Sequence, residues 1–277
     1  MIRNGSKGGV ALGGGGVRGL AHVPALETID ACGIEPTAVT GTSMGAIIGV
    51  LYASGKSGKE IHHIVEEHIL TRRDGIKGVY AKKNALLRWL DAFRVAWKGT
   101  GLLKADGFLR HLIGQVEATR FEELQIPLRV IATDYHSAQA VVFDSGPLLP
   151  ALKASMSIPG VFVPVEHEGR ILVDGGVSNN LPYDLLPDGC DVSIAVDVTP
   201  TREKEESGPP NMIDATLGMF DMLVERITRA MIEDHPPDIY FHLRIVDTRI
   251  LEFDKAEDVL KQADKAVAEL RDKLEAS

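Results

Sequence analysis

Two short apolar runs, residues 10–12 and 38–40, each stop against glycines and hand the chain at once to a helical pattern. Such a strand–glycine–helix unit builds parallel sheets, because a parallel neighbour is reached only through a crossover. After the first run, residues 17–31 carry Leu20, Val23, Leu26 and Ile29 at helical spacing, with Gly33 placed as a C-terminal cap. After the second, residues 44–53 form an apolar helix closed by Gly55, and Ser57 with Glu60 makes a capping box opening a third helix to about residue 70. Further strand-like runs lie at 128–133, 141–143, 171–173, 193–198 and 239–243, with helical patterns near 106–116, 148–156, 212–233 and 256–274. The alternation predicts an α/β fold with a mostly parallel central sheet covered on both faces. The polar stretch 201–210 is the best linker candidate, yet the strand at 239 is expected to rejoin the same sheet, giving one domain over 1–277.

Three stretches at strand ends carry chemistry. Gly13-Gly14-Gly15-Gly16-Val17-Arg18-Gly19 lies between a strand and a helix, where bare backbone N–H groups and the helix dipole can meet an anion. It contains the Gly-x-Gly-x-x-Gly spacing of dinucleotide-binding proteins (Gly14, Gly16, Gly19), equally an oxyanion cradle or a plain tight turn. A dinucleotide site wants an acid at the end of the second strand, whereas Glu35 precedes that strand and Thr40 ends it. Gly41-Thr42-Ser43-Met44-Gly45 follows a strand and opens a helix, the setting in which a Gly-x-Ser-x-Gly match means an exposed nucleophile on a strained turn. Ile171-Leu172-Val173-Asp174-Gly175-Gly176 ends a buried strand in an acid followed by two glycines. Asp134 and Asp197 also stand near strand ends but have no glycines beside them.

A serine hydroxyl needs a base. The nine histidines mostly fall on helices or beside strands, and Ser43 comes too early for the usual order of nucleophile, acid and histidine in an α/β-hydrolase. An aspartate base is the leading alternative, provided burial raises its pKa.

These pieces in this order resemble the patatin-like phospholipase family in its compact bacterial form. The likeness extends to Ala154-Ser155-Met156-Ser157-Ile158-Pro159-Gly160-Val161-Phe162 and Val177-Ser178-Asn179-Asn180-Leu181-Pro182, is clearest over 7–198, and remains compatible through a C-terminal helix–strand–helix at 211–277. It implies a three-layer α/β/α sandwich and a Ser–Asp dyad without histidine. Ser43 would attack the acyl carbonyl, Asp174 would act as general base, and Gly14, Gly15 and Gly16 would hold the oxyanion. Arg18, Gly19, Gly41, Met44, Gly45, Gly175 and Gly176 would support them. The implied activity is hydrolysis of phospholipid or lysophospholipid acyl esters; the alternative is a regulatory or adaptor protein that keeps the site for binding.

Other features bound the partners. A net charge of −9 argues against nucleic acid. Cys32 and Cys190 lack metal-ligand spacing and fit buried small hydrophobes, so neither a disulfide framework, a metal nor a cofactor is expected. No apolar run is long enough to span a bilayer, and glycines occupy the place of a signal peptide's apolar stretch, which predicts a cytoplasmic location. Residues 72–104 are the exception to the acidic balance, with nine basic and two acidic residues. From 86 to 97, Leu86, Leu90, Phe93 and Trp97 recur at helical spacing, with Trp89 alongside and Arg88, Arg94 and Lys98 largely elsewhere on the helix. The expectation there is a helix packed on the core that roofs the active site, or one that also docks peripherally on an anionic membrane as a lid. A second amphipathic stretch at 212–233 is rich in methionine and is expected to pack on the core, although such a surface can also face acyl chains or partners.

Overall fold

The structure, a computed structural model, describes residues 5–67, 94–95, 103–104, 106–201 and 209–276. Its centre is an eight-stranded sheet. Five strands run parallel: β1 (Lys7–Leu12), β2 (Glu35–Thr42), β5 (Leu128–Asp134), β9 (Val192–Asp197) and β10 (Ile239–His242). Their order across the sheet is β10-β9-β1-β2-β5. Three short strands complete it antiparallel to their neighbours: β6 (Ala140–Phe143) and β8 (Arg170–Asp174) on β5, and β7 (Val165–His167) on β8. Apart from the sheet, β3 (Arg94–Val95) pairs with β4 (Leu103–Lys104).

The helices are α1 (His22–Ala31), α2 (Met44–Ala53), α3 (Gly58–Val65), α4 (Asp106–Ile113), α5 (Leu148–Ser155), α6 (Met212–Asp234) and α7 (Ala256–Ala276). The capping box of α3 forms as read, Ser57 accepting from Glu60 N–H and Glu60 accepting from Ser57 N–H. Where one helix was expected over 17–31, a 3₁₀ segment (Gly16–Ala21) precedes α1, so the glycine loop turns more tightly than an α-helix would. β2 begins at Glu35, three residues before the apolar run; Glu35 still opens the strand and does not end it.

Alternation along the strands assigns the two faces. Val10, Leu12, Ile194 and Val196 enter the large core under α1, α2 and α7. Ala11 and Ala195 point the other way and pack with Leu181, Tyr183, Met231 and Ile232. Both faces are covered, as expected of parallel strands, but unequally. The C-terminal strand β10 does join this sheet, beside β9.

The helix read over 86–97 fails at its end, since Arg94 and Val95 are strand residues; pairing with 103–104 overrides a local amphipathic pattern. The rest of the expected lid and membrane contact, including Trp89, Trp97, Arg88 and Lys98, lies outside the described residues, as does most of the 201–210 linker.

Candidate active site

The sheet brings the serine and the aspartate together. Ile131 pairs with Thr42 of β2 and Ala132 with Asp174 of β8, while both also pair with β6. A strand has two edges, so β2 and β8 must share the edge opposite β6. β2 runs parallel to β5 and β8 antiparallel, so the two approach head to head and their C-terminal ends meet at adjacent rungs. Ser43 is the next residue after one end, and Asp174 is the other end.

Side chains fasten the junction. Thr42 donates its hydroxyl to Asn179 O at 2.8 Å, and Thr133 donates to Asp174 O at 2.9 Å. Ser43 has φ 54° and ψ −122°, a conformation that costs a non-glycine residue about 1–3 kcal/mol and persists only under external restraint. That restraint includes Ser155, whose Oγ accepts the Ser43 N–H at 2.8 Å. Two residues on, Ser157 O accepts the Asp174 N–H at 2.9 Å. The 155–157 turn therefore grips both members of the pair. It was visible in the sequence only as part of a family motif, with nothing to say which backbone it faced.

Close packing explains the elbow glycines. A Cβ on Gly45 would lie 2.1 Å from Leu12 O, and one on Gly175 would lie 2.3 Å from Ile131 O, so α2 and the turn after β8 rest directly on strand backbone. Gly41 faces Gly45 and Ala46 at similar range, and Gly19 fits against the buried Met44 side chain. Gly176 donates its N–H to Asp174 Oδ1 at 2.8 Å.

Ser43, 6% exposed, and Asp174, 2% exposed, line one cavity with Gly14, Gly15 and Asn180. Burial pushes the Asp174 carboxyl from 3.8 up to about 7; the Gly176 N–H and the Ser43 hydroxyl pull the other way and only partly offset it. The Oδ2 atom has no hydrogen bond of good geometry, although the Ser43 hydroxyl is near enough to favour the charged form. The rival acids are engaged elsewhere. Asp197 accepts from Thr199 N–H, the Thr199 hydroxyl and the Tyr240 hydroxyl, and Asp134 is held low by the His136 N–H.

The glycine loop has a more divided role than its sequence suggests. Gly14 N–H already donates to Asn180 O at 3.1 Å, and Asn180 Nδ2 donates to Gly14 O at 3.2 Å. Gly14 is thus stapled to the loop after Asp174, and its amide is not free for an oxyanion as expected. Gly15 and Gly16 N–H have no protein acceptor among the described residues. Gly16 takes φ 57°, which turns the chain beneath Ile250. His22, missed by sequence reasoning, lies fully buried beneath the loop, with Nε2 2.7 Å from Gly13 O. Burial lowers its pKa to about 4, so it stays neutral at pH 7 and serves the loop as a prop.

Arg18 is buried rather than a solvated charge at the start of a helix. It donates to Val198 O and Thr248 O, both at 3.2 Å, and to Asp221 of α6 at 2.7 and 3.3 Å. Asp221 could have been found in the sequence, since it occurs on the same helical face as Leu217, Val224 and Thr228, an odd place for a carboxylate without a partner. Among the described residues no group of three or more His, Cys, Asp or Glu side chains is placed to hold a metal ion. No described helix is long and apolar enough to cross a membrane.

Comparison with known proteins fits this geometry. An uncharacterized NTE family protein of Mycobacterium bovis is 32% identical over 227 residues, covering 78% of this chain and 58% of that protein. Patatin-like phospholipase domain-containing protein 7 of Rattus norvegicus is 30% identical over 214 residues, covering 76% of this chain and 15% of that protein. This chain therefore spans less than two thirds of either relative's length. VipD from Legionella pneumophila, at 13% identity, shares the fold with a TM-score of 0.53 over 97% of this chain and 67% of that one. Residues 10–187, well over half the chain, match the family described as patatin-like phospholipase. The chain belongs to the patatin-like phospholipase family.

Proposed function

We propose that this protein is a serine acyl hydrolase acting on lipid esters, phospholipids or lysophospholipids among them, through a Ser43–Asp174 dyad. The reading is carried by the buried Asp174 carboxyl, lifted to about 7 and lining the same cavity as a serine on a strained elbow. An unperturbed aspartate is too weak a base at neutral pH; one lifted this far is matched to the task.

In the proposed cycle, Asp174 takes the proton of Ser43 Oγ as that oxygen bonds to the acyl carbon. The carbonyl oxygen becomes an oxyanion held by the N–H groups of Gly15, Gly16 and Met44, the last being a first-turn donor of α2 that no carbonyl of the helix can take. Collapse breaks the ester C–O bond, and the leaving alcohol receives the proton from Asp174. A water then attacks the acyl-enzyme while Asp174 takes its proton. Release of the carboxylic acid returns that proton to Ser43.

Labelling with a fluorophosphonate ester followed by mass mapping tests the assignment: the expected adduct is on Ser43, together with loss of p-nitrophenyl ester hydrolysis in Ser43→Ala. Equal rates in the two proteins would remove Ser43 from the chemistry and favour the adaptor reading.

A further inference from the structure

The cleft at the dyad is partly open to solvent but narrow, with about 10 Å³ in which a water-sized molecule can sit. An acyl ester brings a carbonyl, an alkoxy oxygen and flanking carbons, so substrate entry requires a wall to move. One wall is sheet backbone, held by the close contacts of Gly45 and Gly175. Loop residues Thr199, Pro200 and Ile250 line another part, and α6 supplies Phe220, Asp221 and Val224. Asp221 bonds Arg18, a latch between this helix and the glycine loop.

Another face of α6 is exposed in the described structure. Met212, Met219, Met222, Leu223 and Ile227 are exposed there, Met212 to 82% and Leu223 to 58%. At 100° per residue they fall within an arc of about 140°, centred about 130° round the helix from Phe220, Val224 and Thr228, with Ile227 at the boundary beside Phe220. Between Met212 and Ile227 the one charged side chain on that side is Arg226; the carboxylates of Asp214, Asp221 and Glu225 lie off it. An apolar stripe that excludes carboxylates and includes an arginine complements a phospholipid surface, acyl carbons against the stripe and phosphate beside the guanidinium. Unbranched methionines suit such an irregular contact.

We propose that α6 is a lid: its inner face shuts the Ser43–Asp174 site, and its outer stripe docks on a phospholipid surface, an exchange that opens the site. The regulation rests on the hydrolase reading above; the docking does not.

The test uses the full chain with vesicles of ether-linked phosphatidylcholine, which no esterase can consume. Flotation reads docking, and hydrolysis of soluble p-nitrophenyl acetate with and without vesicles reads opening. The chain should float, and vesicles should raise its rate about tenfold, as release of a rate-limiting lid would. A Met219→Gln/Leu223→Gln variant should keep the vesicle-free rate within about twofold, as surface changes usually do. It should bind vesicles at least about tenfold more weakly, the loss of two buried apolar side chains, and show no rate gain. Asp221→Asn should raise the vesicle-free rate by weakening the latch. Equal flotation of native chain and double variant would overturn the docking, as would a chain that stays behind and instead forms a dimer through the stripe. Flotation without any rate gain, in protein whose Ser43 takes the fluorophosphonate, would overturn the lid alone. Flotation with no fluorophosphonate label would sink the hydrolase reading and leave the docking standing.

Discussion

Two helices border the dyad, and they are built on opposite principles. In α2 all ten residues are buried, Gly45 touches the backbone of β1, and the helix starts directly after Ser43, the proposed nucleophile. In α6, roughly twice as long, the inner face carries Phe220, Val224 and Thr228 while the outer carries exposed methionine, leucine and isoleucine. A helix enclosed on every side cannot shift without opening voids, which close-packed interiors resist. A helix held on one side, with an ion pair at its contact, can shift and re-seat. If α6 acts as the proposed lid, the site joins a wall that fixes geometry to a wall that regulates access.

The sharpest way to break this comparison is at the dyad. Ser43→Ala should lower ester hydrolysis by at least about 10⁴-fold with the thermal melt unchanged, because the acyl-enzyme can no longer form. A loss of only tenfold would mean that α2 does not carry the nucleophile.

Next in size is the packing of α2. Gly45→Ala places a methyl against Leu12 O and should destabilise the fold by about 3 kcal/mol or more, read as a fall in Tm. Leu223→Ala on the outer face of α6 should stay within about 0.5 kcal/mol. Similar shifts at the two positions would erase the contrast.

The aspartate gives a pH test with a definite sign. Only ionised Asp174 can accept a proton, so kcat/KM should fall tenfold per pH unit below about 7 and level off above it. Stability should run the other way. The carboxyl is raised from 3.8 to about 7 on folding, so the native state holds the proton more tightly and loses stability as pH rises through that window. Asp174→Asn should therefore be the more stable protein at pH 8, by up to about 4 kcal/mol, with the advantage gone below pH 4. A wild type that melts higher than the variant at pH 8 would show that the carboxylate is stabilised by something other than the Gly176 N–H and Ser43.

Smaller still is Ser155→Ala, which leaves the Ser43 N–H without its acceptor. It should cost about 1–3 kcal/mol, shared between Tm and kcat, with KM little changed. An unaltered kcat would mean that the elbow keeps its φ without help from α5.

Much of this was legible in the sequence where the determinants are local. The apolar runs at 10–12 and 38–40, their terminal glycines and the Ser57–Glu60 box each specify a structure within a few residues, and β1, β2 and α3 follow. β7 escaped notice because three residues centred on Glu166 give no period to read. The helix read over 86–97 yields to a strand at Arg94–Val95, a pairing that spacing alone could not disclose. In the site, Ser43 and Asp174 could be named from strand-end position and glycine neighbours. That β8 runs against β5, and so aims Asp174 at Ser43, is a pairing between distant strands that no local pattern encodes. The same is true of Gly14, whose amide is taken by Asn180, 166 positions away.

The head-to-head arrival of β2 and β8 on one edge of β5 also bears on assembly. A slip of either strand by a single residue would move its end by about 3.3 Å and turn its side chains to the opposite face, parting hydroxyl from carboxylate. Competence is therefore a readout of register in two strands at once. On the proposed reading, a chain still being synthesised carries an inert serine until β8 emerges and pairs with β5.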